Sequence, residues 1–138
     1  MQVEHRVLVN ARPEKIFSIY MDVANWNKWD PDTKASHING PFSAGSTGRL
    51  TPAKGNTVPM LLTSVKENHH FTVESKIALF RMVFEHELLD RGQSTEVIHR
   101  VSFYGLLAPI LGRLVGAQVH KGLPVTLANL KLAAESAA

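Results

Sequence analysis

Cysteine is missing from the 138-residue sequence. Its absence removes disulfides, thiolate nucleophiles and the cysteine-based zinc motifs together, and it predicts a protein suited to a reducing cytoplasm. A block of like charge is missing too. The formal charge is +3, but the 15 Lys and Arg residues are scattered among 12 Asp and Glu and never form a run. The basic balance therefore offers no footprint for nucleic acid. Nor is there a long hydrophobic run. The longest apolar segment, GLLAPILGRLVGAQV, is shorter than the ~20 residues of a membrane span and carries Arg113 at its centre. The opening residues MQVEHRVLVNARPE hold charges within the first six positions and no apolar stretch ending in a small-residue cleavage site, which predicts no secretory signal.

What is present is a globular composition, 44% apolar and 20% charged, far from the regime of intrinsic disorder. A chain of this length buries roughly two thirds of its unfolded surface on folding, enough for one real core. No internal repeat, low-complexity tract or linker interrupts it, so a single domain is expected over residues 1–138.

Hydrophobic periodicity assigns the elements. Val3, His5, Val7 and Val9 share one parity with Glu4 and Arg6 on the other, which reads as a strand over residues 2–10. Pro13 at a helix start, Glu14 in the first turn, and Ile16, Phe17 and Tyr20 at helical spacing predict a short helix to about Met21. Pro31 forces Asp30 toward an extended conformation, so no helix passes through the NWNKWDPD segment that holds both tryptophans, and a strand can begin near Thr33. Four glycines and two prolines in residues 39–56 surround a short strand at Thr47 to Thr51. Val58 to Lys66, Phe71 to Ile77, Phe80 to Asp90 and Thr95 to Tyr104 then read as an antiparallel meander. Residues 106–136 give a long helix whose stripe is Leu111, Val115, Val119, Leu123, Leu127 and Leu130, with Pro124 expected to kink it. The class is α+β. An antiparallel sheet with one charged face needs a cover on its apolar face, and only the terminal helix is long enough to supply it.

The last two strands say most about function. On FRMVFEHELLD, Arg81, Glu85 and Glu87 form one face and Met82, Phe84, His86 and Leu88 the other. On TEVIHRVSFY, Glu96, Arg100 and Ser102 face out while Val97, His99, Val101 and Phe103 face in. A two-residue turn at Gly92 and Gln93 sets Glu85 against Arg100 and His86 against His99. A turn at Arg91 and Gly92 instead opposes Glu87 to Glu96, a like-charge pair, so the first register is favoured. In the preceding hairpin, a turn at Asn68 and His69 sets Met60, Leu62 and Ser64 opposite Ile77, Ser75 and Val73. Inward serines and histidines need partners or water, which points to a cavity with a few polar groups. Ala108, Gly112 and Gly116, four apart on the helix, leave a shallow face that suits either a ligand or close helix-to-sheet packing.

The stretch VNARPEKIFSIYMDVANWNKWDPD, followed by the meander and the amphipathic terminal helix, resembles the START-like (SRPBCC) helix-grip superfamily in its polyketide cyclase/dehydrase-like branch. The resemblance spans essentially the whole chain. It implies a curved seven-stranded antiparallel sheet wrapped around the terminal helix, two short helices after the first strand, and a cavity for lipids, sterols, polyketides or other apolar molecules. It also implies that Trp29, next to the extended Asp30 and Pro31 step, turns toward that cavity; Trp26 is expected, from its place in the segment, to pack on the short helix and stay partly exposed. Members of the superfamily include cyclases and dehydratases, ligand carriers and proteins that act through protein partners, so membership does not select among these.

Three readings follow. In the first, the protein binds a small apolar ligand of lipid, polyketide or aromatic type, with Trp29, Met60, Leu62, Ser75, Phe84, His86, His99, Val101, Leu111 and Val115 as lining residues. In the second it is an enzyme of cyclase or dehydratase type in which His86 or His99 serves as general acid or base, although no carboxylate partner for either is visible because the strand glutamates face away. In the third the cavity is vestigial and the chain is a protein-interaction module. Each histidine also has a simpler role as a satisfied core residue. No cofactor is expected, and no metal, because a zinc site needs three or four protein ligands and only His5 offers an inward third. A nucleophilic triad lacks support, since no Gly-x-Ser-x-Gly turn surrounds Ser64 or Ser75.

Overall fold

In the computed structural model, which describes residues 2–136, the elements run β1 (Gln2–Val9), α1 (Pro13–Met21), a 3₁₀ helix (Val23–Lys28), β2 (Thr33–Asn39), β3 (Thr47–Pro52), β4 (Val58–Lys66), β5 (His70–Ile77), β6 (Phe80–Asp90), β7 (Thr95–Tyr104) and α2 (Ala108–Glu135). The expected domain limits at 1 and 138 lie outside the described residues. All seven strands form one antiparallel sheet in the order β1-β7-β6-β5-β4-β3-β2. The strand that begins the chain thus joins the sheet beside the strand that ends the meander. The arrangement is the helix-grip fold that the family resemblance implies, with the sheet against the terminal helix as the element order predicts. α2 packs across β1, β7 and β6, and Pro124 sits within it without ending it.

The core forms where the apolar stripes meet. Ile16, Phe17 and Tyr20 of α1, Leu127, Leu130 and Ala134 of α2, and Val9, Phe71 and Val97 of the sheet are buried together. Thr95 Oγ1 donates to the Ala11 carbonyl at 2.7 Å, which ties the entry of α1 to the start of β7.

The β6/β7 register is the one that charge pairing favours. Glu85 opposes Arg100 and His86 opposes His99. Arg91 N donates to the Ser94 carbonyl around Gly92 and Gln93, and Gly92 has φ 94°, the left-handed value that the first position of such a turn requires. The β4/β5 register differs from expectation. Leu62 opposes Val73, not Ser75, and Ser64 opposes Thr72. The connection is three residues long, with Lys66 paired to His70 and Asn68 at φ 65°, and an irregularity between Leu62 and Ser64 inserts a residue. Together these move the inner pairs by two positions.

On the outer face Arg100 gathers three carboxylates, Glu4 at 2.8 Å, Glu85 at 3.0 Å and Glu87 at 3.1 Å. Its side chain is only 19% exposed, so this network is less screened than a typical surface pair, and it joins β1, β7 and β6. Arg100→Met should lower stability by about 1–2 kcal/mol in urea unfolding, with a smaller deficit in high salt. An unchanged midpoint at low salt would show that the network contributes nothing net.

Candidate functional site

Between the inner face of the sheet and α2 lies a cavity of about 310 Å³, at the small end of ligand-sized pockets. β6 and β7 build one wall because their inward parity is Met82, Phe84 and His86 on one strand and His99 and Val101 on the other. Met60 and Val58 of β4 and Val73 and Ser75 of β5 continue it. Val115, Val119 and Leu123 of α2 face it, spaced so that one helical stripe closes the chamber. Both tryptophans line one end.

Of the residues expected to line a cavity, Trp29, Met60, Ser75, Phe84, His86, His99, Val101 and Val115 do so. Leu62 and Leu111 do not. Leu62 is buried in the main core beside Phe71 and Val73, because the β4/β5 register carries it away from Ser75. Leu111 packs in a second cluster with Phe80, Val101 and Phe103, toward the start of α2. Trp26 also departs from expectation. It is buried, since its indole Nε1–H donates to the Tyr20 carbonyl at 2.8 Å and its ring lies 5.9 Å from Phe71. Trp29 is equally buried, and its Nε1 has no hydrogen-bond partner among the described residues.

Two imidazoles form the polar centre. Their rings meet edge to face with centroids 4.6 Å apart. His86 stacks on Phe71 at 3.9 Å, and its Nδ1 bonds to the Phe71 carbonyl at 3.2 Å. Burial holds its pKa down at about 4, against the opposing effect of that carbonyl. His99 is buried, its Nε2 lies 2.8 Å from the Tyr20 hydroxyl, and desolvation together with neighbouring His86 lowers its pKa well below the ordinary value. Both rings are therefore neutral at physiological pH. Neither is bonded to a carboxylate, the arrangement that would have favoured the acid–base reading. His5 stands opposite His99 in the β1/β7 ladder, but its Nε2 turns to His120 Nδ1 of α2 at 3.1 Å. Among the described residues no group of three His, Cys, Asp or Glu side chains is placed to hold a metal ion.

Several lining groups escape a reading of the sequence. Asp30 Oδ1 accepts from Asp32 N at 3.0 Å and Thr126 Oγ1 at 3.2 Å, and Oδ2 accepts from Thr33 Oγ1 at 2.9 Å. Burial raises the Asp30 pKa, opposed by these bonds. Asp32 sits against Gly122, where a Cβ would collide with its carboxylate. The absence of a side chain at Gly122 thus lets the NWNKWDPD segment close against α2. Asp30 and Asp32 flank Pro31 and look like turn residues. A buried tyrosine needs a hydroxyl partner, and that was the one available pointer to Tyr20.

No helix among the described residues is long and apolar enough to cross a membrane. A sequence profile of the family described as "Polyketide cyclase / dehydrase and lipid transport" matches residues 1–135. Among solved structures, the Zhui aromatase/cyclase from Streptomyces sp. R1128 superposes with a TM-score of 0.81 at 17% identity, covering 98% of this chain and 93% of that one. A truncated norcoclaurine synthase from Thalictrum flavum gives 0.76 at 14% identity, covering 100% and 95%. The Aha1 dimer from Colwellia psychrerythraea gives 0.72 at 20% identity, covering 99% and 97%. No curated protein sequence matches significantly. At these identities the structural likeness speaks for the fold, and the profile match over nearly the full length speaks for descent: the chain belongs to the polyketide cyclase/dehydrase and lipid transport family.

Proposed function

We propose that this protein binds a small, mostly apolar molecule of aromatic, polyketide or lipid type inside the cavity, and that it works in the cytoplasm without a cofactor. The observation that carries this reading is the chamber itself: apolar walls from Trp29, Met60, Phe84, Val101 and Val115, interrupted by Ser75 and the neutral imidazoles of His86 and His99. Apolar walls supply affinity and a few fixed polar groups supply orientation. A fully packed interior would have suited a pure interaction module, whereas this one holds a cavity of about 310 Å³. The catalytic reading has less support, because a histidine held neutral to about pH 4 is a weak base and no carboxylate orients it.

The test uses the neutral fluorophore N-phenyl-1-naphthylamine. One molecule per chain should bind saturably, and Val115→Phe, which fills the chamber from α2, should weaken binding at least tenfold while the protein still unfolds cooperatively. Absence of saturable binding, or equal affinity in both proteins, would defeat the proposal. Native mass spectrometry of protein purified from its own host, followed by extraction, should then reveal the resident molecule.

A further inference from the structure

The hydrogen-bond roles in the chamber narrow the ligand beyond its being apolar. A carbonyl oxygen only accepts, so the His86 Nδ1 that contacts the Phe71 carbonyl at 3.2 Å carries the ring proton. In a neutral imidazole the other nitrogen is then a bare acceptor. His86 Nε2 has no hydrogen-bond partner among the described residues. The Tyr20 hydroxyl is buried, and His99 Nε2 is its one partner among the described residues. Donating its proton there satisfies both groups, and this leaves His99 Nδ1 as an N–H donor. Ser75 Oγ donates to the Pro59 carbonyl at 2.8 Å and so turns only lone pairs toward the chamber. The carboxylate of Asp30 adds further acceptors. Thus the polar groups around the two imidazoles are mostly acceptors, with one donor and one acceptor nitrogen on rings whose centroids are 4.6 Å apart.

We infer that the chamber selects a neutral ligand bearing a phenol or alcohol O–H that donates to His86 Nε2, and that it discriminates against carboxylates. A hydroxyl group both donates and accepts, so it matches the His86 acceptor and the His99 donor alike. A carboxylate cannot donate, and it shares the chamber with Asp30; of the two cations that line the chamber, Arg100 is already held by Glu4, Glu85 and Glu87 and Lys54 is exposed to solvent. The selection rests on the binding function proposed above, and it makes His86 the residue that determines specificity.

Three probes of one shape test it: naphthalene, 2-naphthol and 2-naphthoate, titrated by calorimetry near neutral pH. In the parent protein 2-naphthol should bind at least fivefold more tightly than naphthalene, and 2-naphthoate more weakly than either. His86→Phe keeps an aromatic ring against Phe71 but removes the acceptor, so within that variant 2-naphthol should bind no more tightly than naphthalene. Equal binding of all three, or a preference for 2-naphthoate, overturns the selection while leaving the binding function intact. Failure of all three to bind overturns both. Independently of any ligand, proton–nitrogen correlation spectra of histidine-labelled protein should show His86 protonated at Nδ1, and a proton on Nε2 instead would refute the inference.

Discussion

Phe71→Ala is expected to lower the free energy of unfolding by about 3–5 kcal/mol, a large share of what a domain of this size possesses. The ring is fully buried, and it is the hub of the aromatic cluster. Its centroid lies 3.9 Å from His86, 4.8 Å from Tyr20, 5.1 Å from Phe42 and 5.9 Å from Trp26. Truncation removes apolar transfer energy and leaves a void against side chains drawn from α1, β6 and the segments before β2 and β3. These cannot all collapse inward, because Trp26 is held by the Tyr20 carbonyl and His99 by the Tyr20 hydroxyl. The hydrogen bond from His86 to the residue 71 carbonyl survives, since it uses backbone, so the loss reports packing alone. Urea unfolding should show a lower midpoint with an unchanged slope, and Phe71→Leu should lose markedly less. A loss under about 1 kcal/mol would mean that the cluster closes over the gap.

The second large effect is acid sensitivity beginning near pH 6.5. His86 has a folded pKa of about 4 against 6.5 when exposed. Between those values the unfolded chain takes up a proton that the folded chain refuses, so stability is present above pH 6.5 and is lost as the pH falls toward 4. For His86 alone the loss amounts to about 3 kcal/mol, and His99, shifted in the same direction, adds to it. Two other sets of groups also titrate. Burial raises the pKa of Asp30, so acidification relieves its cost. Arg100 and Arg6 depress Glu4, and Arg91 depresses Glu96; their contributions fade only as pH falls below about 4.5. Between pH 6.5 and 4.5 the two imidazoles therefore drive the loss of stability, and Asp30 opposes them. Unfolding free energies measured across it should slope downward toward acid, and His86→Phe should flatten the slope. A slope unaffected by that substitution would show that His86 is open to water and charges freely in the native state.

What could be read in advance depended on whether the signal was local. The β6/β7 pairing was legible because Arg81, Glu85 and Glu87 alternate with apolar residues, Arg100 supplies the opposing charge, and Gly92 marks the turn. That alone placed His86 against His99 and both in the inner row. The β4/β5 pairing was not legible. Asn68 in the left-handed region and the extra residue near Thr63 leave no compositional mark, and with Ser64, Thr72 and Ser75 on the two strands no charge contrast selects a register. Contacts distant along the chain were hidden altogether. Tyr20 reaches His99 across 79 positions, and Thr126 reaches Asp30 across 96. Nothing near either residue signals its partner. Trp26 packs on α1 as expected, but its full burial was hidden for the same reason, since Phe71 covers its ring from 45 positions further along the chain.

The place of β1 in the sheet has a consequence for how the protein is made. Strands β2 to β7 each pair with the strand next to them in sequence, and they can assemble as soon as they leave the ribosome. β1 cannot: its partners run from Ser102 back to Thr95, and its end is fastened by Lys131 Nζ to the Leu8 carbonyl at 2.8 Å and by Asn10 N to Glu135 Oε2 at 2.7 Å. At ordinary rates of synthesis the first strand waits on the order of ten seconds for a neighbour, with an unpaired edge in a crowded solution. Glu4 and Arg6 on its outer face are the residues that make this wait safe, since charge along a free strand edge discourages pairing with the wrong chain. Their later engagement with Arg100 and Glu96 turns a guard needed during synthesis into a clasp that holds β1 against β7 at the edge of the finished sheet.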